Sequence, residues 1–180
     1  MFAHALTDDA ELRPLSPWHA DEFLANLERC REHISPWVGA SFVATDAESA
    51  RKVLQAYADR WARDDGGLWG IWQRGTLVGG VLFVSLSTAR GVCEAGCWLE
   101  PGAEGQGLVT RAARVIIDWA VRERGIHRVE WITKAGNDRS IAVAKRLGMS
   151  RDGVLRGAAA TPEGRADMEV WSVLAPEWTT

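Results

Sequence analysis

The chain has 180 residues, 47% of them hydrophobic, and its 21 Lys and Arg against 24 Asp and Glu leave a net charge of −3. That length and apolar content suit one globular domain over residues 1–180 with a full core. The mild acidity, with no block of like charges, excludes a dedicated nucleic-acid binder, whose phosphate contacts need a clustered basic excess. No apolar run approaches membrane-spanning length, and the first residues lack a basic segment followed by an apolar core, so a cytoplasmic location is expected. Cys30, Cys93 and Cys97 are an odd set of thiols with no paired framework. Cys93 and Cys97 fall on one face of a strand with no histidine nearby in sequence, and read as buried thiols; no metal is expected.

Residues 11–15 form a short first strand. Ser16 or Pro17 then opens a helix in which Phe23, Leu24, Leu27 and Cys30 recur at helical spacing, broken at Ser35 and Pro36. Asp46 is a good N-cap for a second helix reaching Arg63, with Ala50, Val53, Leu54, Tyr57 and Trp61 as its apolar stripe. Two β-rich runs, 68–73 and 76–86, are joined by Arg74 and Gly75 and read as an antiparallel hairpin. A strand over 94–100 leads through a glycine-rich loop into a helix over 108–124, which buries Ala112, Val115, Ile116 and Trp119 and stops at Gly125. A strand over 127–133, a helix over 137–147, a turn-rich segment and a last strand over 170–174 complete the chain. Antiparallel strands followed by a strand–helix–strand crossover imply an α/β fold, a mixed sheet with helices on both faces. The ten tryptophans are assigned mainly to core and rim packing.

The segment from Glu94 to Thr110 carries the chemistry. An apolar strand runs into Gly102, Gly105 and Gly107, which let the backbone turn with its amides exposed, and the free N–H groups of the following helix add a positive dipole end. Such a cradle suits a diphosphate. A tight connection without a ligand is the plainer reading. A Rossmann dinucleotide site fits poorly, because the third glycine position is Thr110 and the chain opens with helices and a hairpin in place of repeated parallel units.

Taken together, Gly96-Cys-Trp-Leu99, Glu104-Gly-Gln-Gly-Leu-Val-Thr110, Asn137-Asp-Arg-Ser140 and Lys145-Arg-Leu-Gly-Met149 resemble the GNAT superfamily of acetyl-CoA-dependent N-acetyltransferases, most closely its RimJ/RimL branch of ribosomal-protein N-terminal acetyltransferases. Leu12 to Leu15, Arg31 to His33, Pro36 with Trp37, and Trp171 to Trp178 are similar to that branch in order and spacing, so nearly the whole chain is covered. The resemblance implies a mostly antiparallel sheet splayed at its centre. Acetyl-CoA would lie in the gap, its pantetheine paired with the backbone near Trp98 and Leu99. Its pyrophosphate would rest on amides of Ala103, Glu104, Gly105, Gln106, Gly107, Leu108, Val109 and Thr110. The family pattern usually begins with Gln or Arg where this chain has Gly102.

Acetyl transfer to an amine by direct attack in a ternary complex needs a neutral nucleophile, a stabilised oxyanion and a proton for the departing thiolate. The resemblance gives Ser140 the proton or hydrogen bond to the coenzyme sulfur and Asn137 a contact to pantetheine or a bridging water; both also suit a plain helix cap. A glutamate used by some members after the fourth helix is replaced here by Leu155-Arg-Gly-Ala-Ala-Ala160. Glu94 is similar in position to the base of other members, and its plain reading is an exposed strand-end residue. His33 would border the acceptor entrance or simply lie on the surface. The resemblance implies as acceptor a protein N-terminus or a small-molecule amine such as an aminoglycoside, polyamine or amino-acid-derived metabolite, selected by segments 31–45 and 156–168. Without a strong base, α-amines are favoured over lysine side chains. A domain that binds acyl-CoA without turnover is the alternative, and a homodimer is a further expectation of the branch.

Overall fold

The structure, a computed structural model, describes residues 3–39, 42–162 and 164–179. Eight strands form one sheet in the order β1-β2-β3-β4-β5-β6-β8-β7. In chain order these are β1 (His4–Thr7), β2 (Ala10–Pro14), β3 (Gly67–Gln73), β4 (Thr76–Ser87), β5 (Val92–Leu99), β6 (Arg128–Lys134), β7 (Ser150–Thr161) and β8 (Gly164–Leu174). The helices are α1 (Ala20–Ile34), α2 (Ala47–Ala62), α3 (Leu108–Arg124) and α4 (Asp138–Arg146). Every pairing is antiparallel except β5 with β6, where α3 makes the crossover that parallel strands require.

Two apolar cores flank the sheet. α1 and α2 bury Phe23, Leu27, Ala50 and Leu54 against Leu68, Leu82 and Trp98. On the other face α3 and α4 bury Ala112, Ile116, Val143 and Ala144 against Val81, Ala95, Val129 and Trp131. Period-two alternation along β5 therefore sends Cys93, Ala95 and Cys97 toward α3, and Glu94, Gly96 and Trp98 toward α1 and α2. Asp46 caps α2 by accepting from the Ser49 amide at 2.7 Å, and Arg74 and Gly75 both take positive φ, 50° and 78°, as a two-residue hairpin turn demands.

The sheet is split at its centre. β5 and β6 pair only through Val92–Arg128, Cys93–Val129 and Glu94–Glu130; beyond that β5 follows β4 as far as Gly79–Leu99, while β6 follows β8 as far as Lys134–Met168. A bulge places Val84 of β4 between the pairs Phe83–Ala95 and Ser85–Glu94, opposite the last residue that holds β6. The extra residue increases local twist and turns β4 and β5 away from β6. The carbonyl that Val84 withdraws from the ladder accepts from Arg60 Nη2.

Two expectations need correction. β1 was not anticipated, and the supposed turn-rich segment before residue 170 is instead β7 and the first half of β8, a long antiparallel ribbon. Most of β7 is exposed on both faces, so its sequence lacks the apolar alternation that marks a half-buried strand.

Candidate active site

The split opens into a cleft of about 680 Å³ that passes through the sheet. Leu108, Val109, Thr110, Ser140, Val143 and Arg146 line it from the side of α3 and α4; Trp37, Val38, Phe42, Tyr57, Leu82 and Val84 line it from the side of α1 and α2. Gly96, Cys97, Trp98 and Leu99 border it along the part of β5 that β6 has left. That strand edge carries backbone groups free to pair with an extended ligand.

At one end stands the glycine loop. Gly105 and Gly107 have φ of 77° and 73°, a region that favours glycine, and the space beside each is open. The first bond of the α3 ladder runs from the Arg111 amide to the Gly107 carbonyl, so the amides of Leu108, Val109 and Thr110 precede it. Two of the amides expected to meet a ligand already have partners. The Ala103 and Glu104 amides already donate to Glu100 and Pro101 within the short turn Pro101–Ala103, leaving the loop from Gly105 onward for a ligand. Ala103 is 1% exposed in the α3 core, and the Gln106 side chain accepts from Gln73 at 2.7 Å, so neither side chain lines the cleft. Gly102 has no positive φ and open space around it, so nothing there requires glycine.

Across the cleft, Asn137 caps α4 by accepting from the Ser140 amide at 3.3 Å. The Ser140 hydroxyl accepts from the buried Trp131 indole at 2.9 Å, which commits the oxygen and leaves its own proton available. Trp98 is fixed differently: its indole donates at 2.8 Å to Asn26, which is fully buried in α1 and itself donates at 3.1 Å to Glu100. Phe23 and Phe42 pack edge-on against the same ring. The Trp98 side chain is thus turned toward α1, and the cleft meets this strand largely through backbone. Cys97 also borders the cleft, and burial pushes its thiol up to about 12, so it stays protonated there.

Glu94 sits at the apex of the split, paired across the strands with Glu130, and is not among the cleft-lining residues. Burial raises its carboxyl above the ordinary range, the neighbouring Glu130 adds to that, and Arg60 opposes it. Glu130 is held by Arg128 Nε at 2.8 Å. At the cleft mouth His33 Nε2 donates to Glu104 Oε1 at 2.7 Å, while Arg139 Nη1 donates to His33 Nδ1 at 3.1 Å and lies 3.5 Å from the same carboxylate oxygen. This bridge from α1 across the loop to α4 neutralises an acidic side chain beside the cradle. Trp131, Arg139, Asn26 and Glu130 escaped the sequence reading. Arg139 was in view inside the Asn137-to-Ser140 motif, but nothing local tied it to a histidine on α1.

Residues 10–150 match the acetyltransferase (GNAT) domain family. The chain is 26% identical over 182 residues to YdaF of Bacillus subtilis (strain 168), a candidate ribosomal N-acetyltransferase, with 99% of this chain and 98% of the relative covered. Its fold is similar to that of the ribosomal-protein α-N-acetyltransferase RimL in complex with coenzyme A, at a TM-score of 0.89 and 18% identity over 96% of this chain and 97% of the other. It is likewise similar to the microcin C7 self-immunity acetyltransferase MccE in complex with acetyl-CoA and AMP, at a TM-score of 0.85 and 19% identity over 94% of each chain.

Proposed function

Because the chain belongs to the GNAT acetyltransferase family and is an acetyl-CoA-dependent N-acetyltransferase, we propose that its cleft takes the donor from the α3 and α4 side and the amine from the α1 and α2 side. The reading as a binding domain without turnover is set aside. The observation that carries the proposal is the through-going cleft, with unladdered α3 amides at one end, a free β5 edge along it and Ser140 beside it. Those features fit a coenzyme with an extended amide-bearing arm and a diphosphate. When bound, acetyl-CoA supplies the thioester that is the acyl source.

The chain's own groups then have assignable tasks. Amides of Gly105 to Thr110 bind phosphate oxygens, reinforced by the α3 dipole. The Ser140 hydroxyl, with its oxygen held by Trp131, directs its proton toward the departing sulfur. Asn137 contributes its amide nitrogen, because its oxygen serves the cap. Glu94, its carboxyl raised above the ordinary range by burial and recessed at the apex, receives in its ionised form a proton from the incoming ammonium, through water if the amine stops short of it. A protein N-terminal α-amine is the proposed acceptor, since its ordinary pKa leaves part of it neutral where a lysine would be charged.

Calorimetry with acetyl-CoA, with NAD as control ligand, followed by thiol-release assays on α-amine and lysine peptides, tests this reading. Binding of acetyl-CoA alone and turnover of α-amines are expected; turnover of lysine side chains with no α-amine accepted would overturn the acceptor assignment. No helix among the described residues is long and apolar enough to cross a membrane. A cytoplasmic location and pairing into a homodimer remain part of the proposal, the latter checked by sedimentation.

A further inference from the structure

We propose that the acceptor is a peptide N-terminus whose first residue carries a large apolar side chain, seated against the α1 and α2 wall of the cleft; this rests on the transferase reading above. Trp37, Val38, Phe42, Tyr57, Leu82 and Val84 form that wall. Val84 is 36% exposed because the bulge takes it out of the β4 ladder and leaves its side chain on the cleft. The wall is continuous with the donor site, so whatever stands on it faces Ser140 across the split.

Charge selects among amines. Among the described residues lining the cleft, the full charges and histidine are His33, Glu104, Asp138, Arg139 and Arg146, all on the α1 end, the glycine loop or α4. Among the described residues of the apolar wall the one titratable group is the Tyr57 phenol, which burial pushes up and keeps neutral. The cation beside this wall, Arg60, donates to the Val84 carbonyl and is paired with Asp65 at 3.1 Å, so a free amino acid would bring a carboxylate there without an uncommitted partner, and a polyamine or aminoglycoside would bring several ammonium groups to an apolar surface. A peptide N-terminus carries a single ammonium, and Glu94 lies at the apex beneath the wall to match it, Glu130 beside it being held by Arg128. Its backbone continues outward uncharged. The apolar surface is then covered by the first side chain, whose fit to an apolar pocket is worth about tenfold or more in discrimination.

The test compares kcat/KM for peptides that differ only in the first residue, Leu, Phe, Ser or Asp, together with free leucine, leucinamide and spermidine. Leu and Phe peptides are expected to exceed Ser and Asp peptides by about tenfold or more, and leucinamide to exceed free leucine. Val84→Arg is expected to remove that preference and favour the Asp peptide, with acetyl-CoA affinity unchanged; Val84→Ser is the milder variant should the arginine unfold the chain. Equal or better use of Ser, Asp, free leucine or spermidine by the wild type would overturn the proposal. Failure to bind acetyl-CoA or to release thiol with any amine would overturn the transferase reading itself, and this inference with it.

Discussion

The two walls of the cleft are built from different materials. The proposed donor side is mostly backbone: first-turn amides of α3, two left-handed glycines and a strand edge vacated by β6. The proposed acceptor side is made of side chains from the segment after α1, from α2 and from β4. Backbone recognition depends on conformation and tolerates many side chains, whereas the apolar wall changes its preference with each substitution. The same fold can therefore keep one donor while acceptors differ.

The largest effects should come where the walls meet. Ser140→Ala is expected to lower kcat by about a hundredfold with acetyl-CoA affinity little changed in calorimetry; an equal loss of affinity would move Ser140 from chemistry to donor binding. Trp131→Phe keeps an aromatic ring, a smaller one, and removes the donor to the Ser140 oxygen, and should lower kcat less than Ser140→Ala does.

Glu94→Gln separates function from stability. It should lower kcat by about a hundredfold and abolish the fall in rate as acid protonates the base. Because burial raises the native pKa of Glu94, its contribution to stability is fully present below its unfolded-state pKa and is lost as pH rises through the native value. The uncharged variant should consequently be more stable than wild type at neutral pH, and the difference should vanish in acid; thermal melts across pH would show it. A variant no more stable at neutral pH would mean that the carboxylate is solvated or better paired than the structure shows.

Donor-wall predictions concern conformation. Gly107→Val, at φ 73°, should weaken acetyl-CoA by roughly tenfold or more, since a β-branched residue there costs of order 1–3 kcal/mol. Gly102→Gln should bind as well as wild type, since its backbone is ordinary and its surroundings open. The smallest effect is expected from Glu104→Gln, which removes the acidic group held by His33 and Arg139 beside the phosphate site. Affinity should rise about threefold at low salt and less at high salt, as befits a partly exposed pair.

Local signals carried much of the fold. Asp46 capping α2, the Arg74-Gly75 turn and Gly125 ending α3 each follow from what a few neighbouring residues do to the backbone, and each is where expected. β7 was hidden because none of its residues is fully buried and a run of small residues such as Gly157 to Ala160 carries no apolar alternation. The glycine cradle was legible for the same reason as the turns. The Trp131 bond to Ser140, the Asn26 clamp on Trp98 and the His33 bridge join residues through tertiary packing, and no spacing rule marks such partners in advance. Residues 40, 41 and 163, inside the segments expected to select the acceptor, lie outside the described residues.

Amide hydrogen exchange with and without acetyl-CoA tests the central claim most directly. Ligand should slow exchange in the segment from Gly105 to Thr110 and along β5 from Cys97 to Leu99, where backbone groups gain partners, with little change in the outer strands β1 and β2. Protection elsewhere, with those two segments exchanging as before, would contradict a donor site built from the backbone of the split sheet.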